Sequence, residues 1–111
     1  MNATPDTSQH IVSELAQDPD MVDLVDLFVQ ELPKRAAALE TALSQDDYEQ
    51  LIRLAHQLKG AAGGYGFPTI TEKAAVVEQQ ARDRAAPEEL SGTIRELACM
   101  CCAARTRPDN A

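Results

Sequence analysis

Apolar residues in this chain recur at three- and four-residue intervals rather than alternating. Met21, Leu24, Val25, Phe28, Leu32, Ala36, Leu39 and Leu43 form one stripe. Leu51, Leu54, Ala55, Leu58 and Ala62 form a second, and Ile70, Ala74, Val77 and Ala81 a third. Leu90, Ile94, Leu97 and Cys101 complete the set. This spacing places each group on one face of a helix, and no segment alternates with the two-residue period of a half-buried strand.

Start and stop signals divide the stripes into four helices. Asp18-Pro19-Asp20 predicts a helix start, with an N-cap carboxylate and a proline at the first helical position. Pro33 removes one backbone donor, but the stripe continues in phase beyond it, which predicts a kink and not a break. Asp46 with Glu49 resembles a capping box for the second helix, which should end at the glycines near 63–66, where Gly64 and Gly66 can adopt positive φ. Pro68 and Pro87 suit the first turns of the third and fourth helices. A short helix carrying Ile11, Val12 and Leu15, capped by Thr7 or Ser8, is expected before them, and residues 105–111 should fray. The links span only a few residues, so the expected fold is all-α: an antiparallel up-and-down four-helix bundle with a short N-terminal helix. A chain of 111 residues fits one domain, with a core over about 8–104.

A net charge of −8 disfavours contact with nucleic-acid phosphates or anionic membrane surfaces. No apolar run approaches the roughly 20 residues that span a bilayer, and no secretory signal pattern opens the chain, so a cytoplasmic protein is expected. Cys99, Cys101 and Cys102 are odd in number and crowded into one helix, which argues for small buried or half-buried thiols in a reducing compartment. A metal centre is not expected. A bundle di-iron site needs Glu-x-x-His pairs, but Arg53 precedes His56 by three, and the second histidine, His10, is remote.

One stretch departs from ordinary helix composition: Ala55-His56-Gln57-Leu58-Lys59-Gly60-Ala61-Ala62-Gly63-Gly64-Tyr65-Gly66. His56 lies off the apolar stripe, and its neighbours along the helix are Ile52, Lys59, Gly60 and Gly63. Each glycine inside a helix costs about 1 kcal/mol relative to alanine, so two on one face call for a reason. Lys59 disfavours a charged imidazolium and can pair with an anion carried by the ring. The glycines remove side chains that would obstruct a docking partner. These features describe a histidine that accepts and donates an anionic group such as phosphoryl.

The run Ala55-His56-Gln57-Leu58-Lys59-Gly60, followed by Gly66, resembles the motif of histidine phosphotransfer (HPt) domains. The resemblance extends upstream through Phe28–Pro33 and downstream through Ile70 and Val77-Glu78, covering roughly residues 15–82. It implies a four-helix bundle that relays phosphoryl groups between His56 and the aspartate of response-regulator receiver domains in a multistep two-component phosphorelay. It further implies phosphorylation of His56 on Nε2, charge neutralisation by Lys59, and support of the imidazole through Nδ1 by Glu78 or the adjacent Gln79. Ile52, Gln57, Gly60 and Gly63 would belong to the docking surface, although Gly63 and Gly66 also suit close packing and a turn. No cofactor is implied, because the receiver would supply Mg²⁺. The expected partners are receiver domains or a hybrid histidine kinase, with the chain itself a monomeric phosphocarrier and not an enzyme. No nucleotide-binding loop suggests a kinase site. Two alternatives keep the fold: a non-catalytic helical interaction module, and an HPt domain excised from a hybrid or chemotaxis histidine kinase.

Overall fold

The computed structural model describes residues 10–108. Four helices follow one another: α1 (Val22–Ser44), α2 (Tyr48–Gly64), α3 (Pro68–Arg82) and α4 (Pro87–Ala103). Two short strands, β1 (Ile11–Val12) and β2 (Ala104–Arg105), flank them. Sequential helices pack as neighbours, α4 closes the ring against α1, and the α2–α3 seam is the most extensive. The four-helix bundle expected from the periodicity is thus the fold observed.

Each buried face follows its stripe. Val25, Phe28, Leu32, Ala36 and Leu39 of α1 meet Leu51, Ala55, Leu58 and Ala62 of α2 in one core with Ile70, Ala74, Val77 and Ala81 of α3 and Leu90, Ile94, Leu97 and Cys101 of α4. The α1 stripe differs at its edges. Leu24 is exposed and Leu43 half-buried, whereas Ala42 is buried. Pro33 lies on the exposed side and α1 runs through it unbroken.

The three links share one device. Asp47 N–H donates to Ala42 O, Phe67 N–H to Ala62 O, and Ala85 N–H to Gln80 O, each at 2.9 Å. The residue before each donor is left-handed: Asp46 (φ 55), Gly66 (φ 86) and Arg84 (φ 57). This six-to-one bond satisfies carbonyls that a helix end leaves orphaned. It also corrects the expected second cap: Asp46 ends α1, while Asp47 caps α2 by accepting from Gln50 N–H. Gly64 stays helical, so only Gly66 turns the chain. Asp18 likewise caps a turn of its own, accepting from Asp20 N–H, and α1 begins three residues beyond Pro19 at Val22.

The ends differ most from expectation. Residues 11–12 form a strand and not a helix, pairing in parallel with Ala104–Arg105. Ser13 N–H extends the pairing to Arg105 O, and Glu14 N–H donates to Gly66 O at 2.8 Å. These partners come from distant segments, so local helical spacing could not reveal them. Because β2 is paired and Thr106 is buried, the chain does not fray at Arg105. The proposed caps Thr7 and Ser8, and the tail 109–111, lie outside the described residues. Cys101 is buried as expected, but Cys99 and Cys102 are exposed; all three are free thiols.

Candidate functional site

With Leu51, Ala55, Leu58 and Ala62 committed to the core, α2 turns His56, Gln57 and Gly60 outward. The His56 side chain is 65% exposed, although it stands against a buried acid. That acid is Glu78, which follows the core residue Val77 on α3 and keeps only 8% of its side chain exposed.

Glu78 joins three side chains. His56 Nδ1 lies 3.2 Å from its Oε2, and the Lys59 ammonium lies 2.8 Å from its Oε1. The Arg82 guanidinium, one turn along α3, donates to Oε2 from Nη2 at 2.9 Å and from Nε at 3.3 Å. The Lys59 contact, reinforced by Arg82 and His56, holds the Glu78 carboxyl down at about 2 against the opposing effect of burial. Glu78 is therefore an anion at neutral pH and can only accept hydrogen bonds. When the His56 ring is neutral, its proton sits on Nδ1 facing the carboxylate, which leaves the lone pair on Nε2, the ring nitrogen that does not meet Glu78.

Glycines flank this cluster unequally. A Cβ at Gly60 or Gly64 would meet nothing within 4 Å, whereas one at Gly63 would reach Thr71 Oγ1 at 3.4 Å. Thr71 also donates to Lys59 O at 3.1 Å, tying α3 to α2 beside the site. Gly63 therefore faces the α2–α3 seam, and Gly60 and Gly64 face outward. Gly66 is confined from the other side: a Cβ there would lie 2.5 Å from Ser13 Oγ and 2.9 Å from Glu14 N.

The structure thus brings together His56, Lys59 and Glu78. Gln79, the alternative partner of the ring, is exposed and donates to Asp83 at 3.0 Å. Ile52 is half-buried against the core, one turn before His56, and Gln57 is exposed. Lys59 meets a carboxylate, so a paired cluster and not an isolated ammonium surrounds the imidazole. Sequence reasoning missed Arg82, and it placed Gly64 in the turn and not on the bare surface near His56. Arg82 was findable as the i+4 partner of Glu78, a spacing that pairs opposite charges on a helix. Gly64 was findable one turn beyond Gly60.

Among the described residues, no group of three or more His, Cys, Asp and Glu side chains is placed to hold a metal ion. No described helix is long and apolar enough to cross a membrane. No curated protein and no solved structure matches the chain significantly. A family model described as Hpt domain, however, matches residues 23–104, which takes in all four helices except the first residue of α1. Such domains are phosphocarrier modules of two-component signalling and not kinases. The match covers both the bundle and the His56 cluster, and the chain belongs to the Hpt domain family.

Proposed function

We propose that this protein relays phosphoryl groups in a multistep two-component phosphorelay, with His56 Nε2 as the atom that accepts and donates them. The observation that carries this reading is the contact between Glu78 and Nδ1 on a side chain that is largely exposed, which supports Nε2 as the nucleophile of the ring. In the forward step, the Nε2 lone pair attacks phosphorus of a receiver's aspartyl phosphate. The P–N bond forms as the P–O bond to the carboxylate breaks, and the electron pair leaves with the aspartate oxygen. No proton need move: the Nδ1 proton stays on the ring, which gains formal positive charge. The buried anionic Glu78 opposes that charge at close range, an effect strengthened by its removal from water. Reverse transfer follows the same path.

Lys59 stands three residues from His56 and is the ammonium proposed to balance the phosphoryl oxygens. Gly60 and Gly64 leave the neighbouring surface bare, so a receiver can bring its aspartate in line with Nε2. Ile52 and Gln57 would flank that contact. The Mg²⁺ of the reaction belongs, in this proposal, to the receiver's own acidic site.

The test is labelling from a phosphorylated receiver domain. His56→Gln is expected to abolish label uptake while far-UV circular dichroism stays unchanged, and the wild-type label should be acid-labile and base-stable. Undiminished labelling of the variant would overturn the assignment. A label lost in base as well as in acid would place the phosphoryl group on a carboxylate instead.

A further inference from the structure

Glu78 gathers more positive charge than it needs. The Lys59 ammonium takes Oε1, while the Arg82 guanidinium and the His56 ring share Oε2. Two permanent cations therefore stand on one carboxylate before any phosphoryl group arrives.

The two cations are not equivalent. Lys59 shares α2 with His56, and its compact ammonium rides on a flexible four-carbon stem. Arg82 lies on α3, one turn beyond Glu78, and holds Oε2 through two nitrogens of a planar fork. A dianionic group on Nε2 competes with Glu78 for Lys59. If Lys59 left alone, a buried carboxylate would lose its ammonium, and an uncompensated buried charge is costly. Arg82 is already in place to prevent that.

We propose that phosphorylation of His56 hands Lys59 over from Glu78 to the phosphoryl oxygens, and that Arg82 permits the hand-over by keeping Glu78 paired when Lys59 departs. This rests on the proposed role of His56. Arg82 is a positioning residue: it acts through Glu78 and does not touch the phosphoryl group.

The experiment compares the full chain with Arg82→Gln and Arg82→Lys after phosphorylation by phosphoramidate. Nitrogen-15 NMR follows the Lys59 ammonium, and phosphorus-31 NMR follows loss of phosphohistidine. Arg82 is half-exposed, so both variants should fold. In the wild type the Lys59 resonance should move on phosphorylation. In Arg82→Gln that movement should fall below about half, and phosphohistidine should hydrolyse about threefold faster, as expected for loss of one charge-assisted contact. Arg82→Lys should restore most of both. An undiminished Lys59 shift in Arg82→Gln would overturn the hand-over while leaving His56 as the carrier. Failure of wild-type His56 to take the label, when a phosphorylated receiver also fails to label it, would overturn the carrier role and the hand-over with it.

Discussion

Gly60 and Gly66 stand six residues apart in the same glycine-rich stretch, yet the structure makes opposite demands on them. Gly60 is helical, and a methyl group there would meet nothing inside the domain. Gly66 is left-handed, and a methyl group would run into Ser13 and the backbone of Glu14. A left-handed turn alone does not require glycine, because Asp46 (φ 55) and Arg84 (φ 57) make one with full side chains, but Gly66 (φ 86) lies further into positive φ. Close approach by the N-terminal segment adds the further requirement. One glycine is therefore needed by the fold, and the other has no internal purpose. A helix that carries an unnecessary glycine gives up about 1 kcal/mol, so an external reason for Gly60 is the economical explanation.

The sharpest way to break this contrast is Gly66→Ala. Positive φ and the overlap with Ser13 and Glu14 should together destabilise the protein by about 2–4 kcal/mol. Denaturant unfolding would read this as a lower midpoint. A loss below about 0.5 kcal/mol would show that the N-terminal segment yields freely, and Gly66 would then be no more constrained than Gly60.

This contrast also marks how far the sequence could be read. The four bundle helices, their buried faces and the proline starts at Pro68 and Pro87 were legible because each depends on local spacing. The strand at Ile11–Val12 was not, since Ile11 and Leu15 are also spaced like a helical pair, and the partner lies at Ala104–Arg105. The same long-range contact hid the second reason for Gly66. At the site, the His56–Lys59–Gly60 spacing pointed to the stretch, but choosing Glu78 over Gln79 as the neighbour of the ring needed the rotation of α3. One residue turns a helix by about 100°, which separates a buried acid against the imidazole from an exposed amide. Arg82 followed only once Glu78 was fixed.

Gly60→Gln tests the other glycine. It should slow phosphoryl transfer from a receiver about tenfold by obstructing the partner's approach. Stability should stay level or rise, because glutamine is the better helix former. Unchanged transfer would remove the functional reason for the bare surface. Loss of stability matching the loss of transfer would make Gly60 structural and erase the contrast with Gly66.

A smaller effect is expected from Ser13→Ala. Ser13 Oγ donates to Tyr65 O at 2.7 Å and accepts from Leu15 N–H at 3.0 Å, so its removal should cost about 1 kcal/mol. In that background Gly66→Ala should cost less than it does alone, because Oγ is the nearest atom to the added Cβ. A coupling of about 0.5–1 kcal/mol in the double-mutant cycle would locate the constraint in this contact. Strict additivity would assign the cost to backbone conformation and the backbone of Glu14.

The smallest change is the most discriminating for function. Gly60→Ala adds one methyl group to open space on a helix and should raise stability by about 0.5–1 kcal/mol through propensity alone. Its effect on transfer separates two forms of docking. If the receiver passes over the surface with clearance, alanine should leave the rate within about twofold, while glutamine still slows it. If the receiver lies directly on the backbone of α2, even a methyl group lifts it away from His56, and alanine should approach the glutamine rate. Either result keeps the division between the glycines, provided the variant is at least as stable as the wild type. A destabilised Gly60→Ala would show that the helix itself requires the glycine, and the bare face beside His56 would lose its claim to be an interface.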